Sequence, residues 1–275
     1  MRLALIVGLM AAVSAPAWTQ AKAGDKAMVD VQSTLELDIA VRDGSGPGET
    51  LRFLSLVRRE TFEQEVLTVA DGLPSSVRIK VASSTLQKSG TDTLLEEKST
   101  ALAGQTYTSM RGQGGWMAKD ADGGAAPAEG AALGAWNDAG RLLPKTGLQA
   151  GGQWEVDAAD AVALLSPAGV REAGGKLSCT CKALDANKAS ITFTGSLTGK
   201  AKNDARVTLA INTGVMEYDL SKGRPTNFSI SGSFESLLSV EDEYRKPGAE
   251  GQVEKRKVGE IAVKSRKLTT SFVIR

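Results

Sequence analysis

The chain has 275 residues, with 33 Lys and Arg against 32 Asp and Glu, two Cys and no His. Its length and a hydrophobic share of 41% suffice for a substantial core, and the balanced charge excludes a general pull toward nucleic acid or anionic lipid. The absence of His excludes Ser-His and Cys-His catalytic pairs, imidazole metal ligands and an imidazole proton switch.

Arg2 followed by the uncharged apolar run Leu3 to Val13 and by Ser14-Ala15-Pro16-Ala17 has the form of a secretory leader. Residues 1–21 are read as that signal peptide, with cleavage after Ala21 preferred over Ala17 or Ala23. The apolar run is too short to span a bilayer, and no later stretch reaches that length, so no integral membrane span is expected in the mature chain. Removing the leader takes away Arg2 and no acid, which balances the two signs. A periplasmic or extracellular protein is expected.

Val29, Val31, Ser33, Leu35, Leu37, Ile39 and Val41 alternate with mainly polar neighbours, the period of a strand with one buried face. After the loop Asp43 to Thr50, an extended run covers Leu51 to Val69, and Asp71-Gly72-Leu73-Pro74 turns it into a third strand carrying Val77, Ile79 and Val81. Two further strands are expected, at Leu94–Ser99 and Gln105–Lys119. Asp120 to Gly130 reads as a flexible connection and Ala131 to Leu142 as a weak helix or irregular loop. Trp154-Glu155-Val156 is a short strand, and Asp157 an N-cap with Asp160 completing an imperfect capping box for a helix over 157–165. Strand patterns return around Cys179, Phe193 and Leu209. Ser221-Lys222-Gly223 turns the chain into the Phe228–Phe234 run, and the last strand ends at Ile274.

About nine to eleven strands and one or two short helices make a mostly β protein. The expected forms are long antiparallel strands in a curved sheet, open barrel or sandwich, with the helix over 157–165 plugging an open end. By composition the mature chain divides into a β-rich lobe over 22–120, a Gly/Ala-rich connection over 121–153 and a second β-rich lobe over 154–275, with one continuous domain as the alternative.

The motifs that resemble known chemistry fall short of it. Leu143-Pro144-Lys145-Thr146-Gly147 spells a sortase signal but lacks the apolar span and basic tail that must follow, so it reads as a turn. Asp120-Ala121-Asp122-Gly123 opens like a calcium loop, yet Gly124 and Ala131 stand where ligand oxygens belong, and a hairpin turn is expected. Asn227-Phe228-Ser229 is a glycosylation sequon inside a strand pattern. Cys179 and Cys181 share one strand face about 6.5–7 Å apart. That leaves them as buried free thiols or as a strained Cys179–Cys181 disulfide, while two thiolates alone make only half a zinc site. Glu63 and Glu65, or Glu241, Asp242 and Glu243, could supply acid–base carboxylates. Glu63 and Glu65 read more simply as a solvated stripe beside Arg58 and Arg59. With aromatic residues at 5%, Trp116, Trp136 and Trp154 are the candidates for lining a ligand cleft, or else core plugs.

Glu63-Gln64-Glu65-Val66-Leu67 before Asp71-Gly72, Gly151-Gly152-Gln153-Trp154-Glu155-Val156 and Asp219-Leu220-Ser221-Lys222-Gly223-Arg224 together resemble a group of exported, β-rich bacterial proteins of unknown function. The resemblance implies no activity, and no residue takes a catalytic role from it. No cofactor, metal, nucleic acid or catalytic residue is expected. The leading expectation is a non-enzymatic exported protein binding an apolar or amphipathic ligand in a β-lined cavity. The alternatives are an envelope structural or protein-interaction module acting through its surface or a sheet edge, and a carboxylate-dependent hydrolase.

Overall fold

A computed structural model of the chain describes residues 21–43, 49–91, 93–112, 115–124, 126, 130, 132–165, 171–201, 204–245 and 253–275. All but Ala21 of the leader expected over 1–21 therefore lies outside the described residues.

The period-2 pattern that begins at Val29 forms β1 (Lys26–Asp43). It is followed by β2 (Glu49–Ala70), β3 (Leu73–Gly90), β4 (Thr93–Ser99), β5 (Thr106–Gly112) and β6 (Gly115–Asp120). A 3-10 helix (Ala135–Leu142) leads to β7 (Gln153–Asp157), the α-helix α1 (Ala158–Leu165), β8 (Arg171–Leu184), β9 (Lys188–Lys200), β10 (Arg206–Asp219), β11 (Arg224–Arg245) and β12 (Val253–Ile274). All twelve strands join one antiparallel sheet in the order β6-β5-β3-β2-β1-β12-β11-β10-β9-β8-β7, with β4 paired to β3 off that path. The first and last strands meet at the centre, where β1 pairs with β12 from Val29↔Ile274 to Asp43↔Gly259. On each side of this seam the chain meanders outward.

The sheet does not close, yet it must roll. Ten inter-strand gaps at about 4.8 Å would put its edges about 48 Å apart if it were flat. Trp116 on edge strand β6 and Trp154 on edge strand β7 nevertheless both bond to the 3-10 helix, whose eight residues are about 16 Å long. Bulges at Glu36/Leu37, Thr61/Phe62, Ile211/Thr213 and Gly232/Glu235 supply local twist for such rolling.

The core lies between the inner face of this rolled sheet and the two helices. Val29, Phe62, Ile79, Phe272, Phe228, Met216, Ile191 and Cys181 form its sheet side, all nearly inaccessible. Gly214 illustrates the fit, because a Cβ there would approach the Phe193 ring to 2.2 Å. The four central strands run well past this covered end. With 22 residues each, β2, β11 and β12 are about 70 Å long, and the 3-10 helix packs near one end of them.

Two expectations change at this level, the single strand over 105–119 and the helical plug. The Gln105–Lys119 strand is a hairpin, β5–β6, because the chain reverses between Gly112 and Gly115. After β6 the chain turns back as expected, with the Asp120 N–H donating to the Gly124 carbonyl (3.0 Å) and the Ala126 N–H to the Ala118 carbonyl (3.3 Å), and Asp120 Oδ1 accepting the N–H groups of Asp122 (3.1 Å) and Gly124 (2.7 Å). Asp157, the last residue of β7, directly precedes the first residue of α1, the N-cap position expected of it, and Asp160 is ion-paired with Arg141 at 3.2 Å. Finally, α1 is not a barrel plug; it packs beside the 3-10 helix against β7, β8 and β9.

Candidate functional site: a roofed cavity on the inner sheet face

Residues directly opposite in an antiparallel ladder share a face, so the register lays out the cavity floor. One row runs Glu60–Val31–Phe272–Phe228 across β2, β1, β12 and β11, and the next runs Arg58–Ser33–Thr270–Ile230. Leu268 of β12 and Leu209 of β10 extend it. Ala132, Leu133, Ala135 and Trp136 form the roof. Between floor and roof is a cavity of about 230 Å³. A hollow of about 20 Å³ also borders Trp136, against Gln64, Asn137 and Tyr218.

The roof is tied down by polar bonds to the sheet around it. Gln64 of β2 and Asn137 exchange amide bonds of 2.9 and 3.0 Å, both side chains being buried. Asn137 Nδ2 also donates to the Gly134 carbonyl at 2.8 Å. Asp138 is 1% exposed; its Oδ2 accepts the Trp116 indole N–H at 2.9 Å, while the Arg111 guanidinium pairs with Oδ1. Arg141 bridges Asp138 to Asp160 of α1. At the far end of the helix, Trp154 Nε1 donates to the Leu142 carbonyl at 2.8 Å. Burial pushes the Asp138 carboxyl above the usual carboxylate range, against the opposing pull of Arg111 and the Trp116 N–H. Gly134 lets the chain pass Trp116 closely, since a Cβ there would come within 2.7 Å of that ring.

The three tryptophans thus take different places. Trp116 and Trp154 fasten the roof from the two sheet edges. Trp136 borders the cavity, its ring 5.9 Å from Phe272, which in turn stacks on Phe228 at 4.8 Å. The Trp136 indole N–H is buried and has no partner among the described residues.

Arg58 departs from the solvated stripe expected of Glu63, Glu65, Arg58 and Arg59. Strand parity turns Arg58 and Glu60 inward, while Glu63, Glu65 and Arg59 face out, where Glu65 pairs with Arg78 at 3.0 Å. Arg58 Nε donates to Glu60 Oε1 at 2.6 Å, and Ser84 Oγ donates to the same oxygen at 3.3 Å. Both inward residues border the cavity, Glu60 at 5% exposure. A signal for them existed in the sequence: Leu54, Leu56, Arg58, Glu60, Phe62, Gln64 and Val66 share one parity, so three polar residues interrupt an apolar stripe. Nothing comparable marked Asn137 and Asp138, whose partners come from distant strands.

Cys179 and Cys181 lie on β8 as buried free thiols packed in the core. Burial pushes the Cys179 thiol up to about 12 and raises Cys181 as well, the latter opposed by its contact with the Ala183 carbonyl. The side chains of Glu241, Asp242 and Glu243 lie outside the described residues. Leu143–Gly147 is a turn, with Gly147 at φ 92°. No helix among the described residues is long and apolar enough to cross a membrane.

No protein-family model matches the chain, and no curated protein matches it. Among solved structures it is similar to one described as lipid–protein interactions in lipovitellin, at 12% identity and a TM-score of 0.42. That match covers 92% of this chain and 25% of the other, so the chain spans about a quarter of that protein's length. A likeness of this degree carries no functional argument.

Proposed function

We propose that the chain is an exported, non-enzymatic binding protein that holds an apolar or amphipathic ligand between its inner sheet face and the roof helix. The observation that carries this is the cavity of about 230 Å³ bordered by Val31, Leu133, Trp136, Phe228, Ile230 and Phe272. A protein interior packed to ordinary density leaves few voids larger than a water. Apolar walls with a small set of polar groups at one side are the usual anatomy of a small-molecule site. The leader-like residues 1–21 place the work outside the cytoplasm.

Native mass spectrometry of the protein purified from its own exported fraction tests this. The expected result is an excess mass that disappears on denaturation. A bare chain that also takes up no apolar probe would overturn the reading.

A second reading, an interaction module of the cell envelope, has its own support. On the outer face at the uncovered end, Leu51, Ala40, Ala262 and Leu237 stand side by side across β2, β1, β12 and β11. Leu51 is 69% exposed and Leu237 38%. Cross-linking in the exported fraction that captures one protein through this row would favour that alternative.

A further inference from the structure

The cavity is small for a ligand pocket and is closed on one side only. Small-molecule sites usually measure about 300–1,000 Å³. This one has about 230 Å³, roughly the volume of eight waters in the liquid. Toward the start of β1 it ends against a packed row, Phe62, Val29 and Ile274, each 5% exposed or less. In the other direction no such row follows, and Leu268 leads out from the cavity wall.

The register carries the inner face onward from there. Leu56–Leu35–Leu268 form the next row, and Ile39–Val263 and Val41–Ile261 continue it. Leu56, Leu35, Leu268, Ile39 and Val263 are half-buried, with Leu37 sunk between them, and Val41 is 37% exposed. From Val31 to Val41 this apolar strip runs ten residue steps, about 33 Å. The outer face of the same stretch is charged and internally paired, Asp38 with Arg266 at 2.7 Å and Glu235 with Lys264 at 3.2 Å. The inner positions of β1 and β12 over this stretch have no charge.

Inside the cavity the polar side chains are already matched. Thr270 bonds to Ser33 at 3.2 Å, and Arg58 and Ser84 both donate to Glu60 Oε1. A polar head brought under the roof would have to break these pairs, and a buried polar group without a partner is costly. The apolar end of a chain makes no such demand.

We infer that the ligand is a long-chain lipid that enters chain end first. Its terminus lies under Trp136 and Leu133, its chain runs over Leu268 and Leu35 toward Ile39 and Val263, and its polar head stands beyond the roof. This rests on the binding-protein reading above and adds the length and orientation of the ligand. One chain accounts for both features, since the strip that the roof leaves uncovered is continuous with a cavity too small to hold a long chain.

The experiment is displacement of a neutral fluorescent reporter, N-phenyl-1-naphthylamine, from the mature protein by octanoate, dodecanoate and hexadecanoate below their micellar concentrations. These probes share one head and differ only in methylenes. Each methylene buried is worth about fourfold in affinity, so the displacing concentration is expected to fall by roughly tenfold or more at both steps. In Ile39→Asn/Val263→Asn, beyond the cavity, hexadecanoate is expected to weaken by about tenfold or more while octanoate stays within about twofold. Orientation is read from quenching: hexadecanoate brominated at its chain end should quench Trp136 more than hexadecanoate brominated beside the carboxylate. That difference should be lost in Trp136→Phe.

Displacement that stops improving between dodecanoate and hexadecanoate in the wild-type protein overturns the inference while leaving the binding-protein reading intact, and needs no variant to fold. Equal or reversed quenching by the two brominated chains overturns the orientation and with it the inference. A folded double variant that binds hexadecanoate as the wild type does removes the strip from the site and overturns the inference as well. A wild-type protein that binds neither the reporter nor any of the three probes removes the binding-protein reading itself.

Discussion

Two carboxylates in this protein are driven in opposite directions by their surroundings. Asp138, buried under the roof, is pushed up by burial, with Arg111 and Trp116 pulling the other way. Asp185, in the β8–β9 turn, is lowered by the backbone N–H groups of Asn187 and Lys188, at 2.8 and 2.7 Å. Carboxyl carbon NMR titration of the folded protein is expected to find Asp138 protonating above 3.8 and Asp185 below it. The linkage signs follow. Asp185 contributes stability above the unfolded value, and that contribution is lost as pH falls through its lower folded pKa. Asp138 does the reverse: its native state gains a proton first, so falling pH relieves its burial cost between the folded and unfolded pKa values. Asp138 titrating below Asp185 would show that the Arg111 pair outweighs burial. The cysteines follow the same physics, since thiols raised by burial hold little reactive thiolate at neutral pH.

Among the elements, the 3-10 helix Ala135–Leu142 depends most on its surroundings. Eight residues of 3-10 geometry are long for that helix type, and its hydrogen bonds are poorer than those of an α-helix. Side chains from β2, β5, β6, β7 and α1 hold it instead. Replacing one partner of a buried pair leaves the other unsatisfied, which costs about 1–3 kcal/mol, and more for a charge. Trp116→Phe should therefore lower stability in urea by about 1–3 kcal/mol more than Trp136→Phe. Both changes remove similar volume, but the first deprives Asp138 of a donor and the second removes an N–H that has no partner among the described residues. Equal losses would mean that the Trp116–Asp138 bond does not hold the roof. Turns, by contrast, carry their own instructions. Asp71 and Gly72 have φ of 53° and 78°, the positive pair of a tight hairpin. Asp219 Oδ1 accepts the N–H groups of Ser221 (2.9 Å) and Lys222 (3.0 Å) beside Gly223 at φ 62°. Both lie in short motifs on which the resemblance in the sequence rests, so what those motifs encode here is chain reversal.

At the scale of the whole molecule, the central strands have two unlike ends. Near the roof, Val29 and Phe62 are fully buried and Phe228 and Phe272 nearly so, whereas Val41 at the other end of β1 is 37% exposed. The seam between β1 and β12 continues along both ends with the same backbone pairing. Stability against local opening depends on the apolar contacts that opening would break, not on hydrogen bonds alone. Amide hydrogen exchange is expected to be much slower at Val29, Val31 and Phe272 than at Ile39, Val41 and Ile261, although all sit in the central pair. Uniform protection would mean that something besides the two helices covers the extended end.

Strand identity was legible locally, because alternation with period 2 and the turn residues at Asp71-Gly72 and Ser221–Gly223 depend on near neighbours in the chain. The same parity contained the inward setting of Arg58, Glu60 and Gln64, although Arg58 was expected beside the solvated stripe of Glu63 and Glu65. Sheet order was not legible, since β1 pairs with a strand more than two hundred residues away and no local pattern encodes that partner. Nor was the roof, whose residues Asn137 and Asp138 are polar in a weak helical stretch and become interior once Gln64, Arg111 and Trp116 arrive from other strands. A scarce Trp announces a large buried ring. Whether that ring fastens a helix, as Trp116 and Trp154 do, or borders a cavity, as Trp136 does, depends on where the rolled sheet brings its indole N–H.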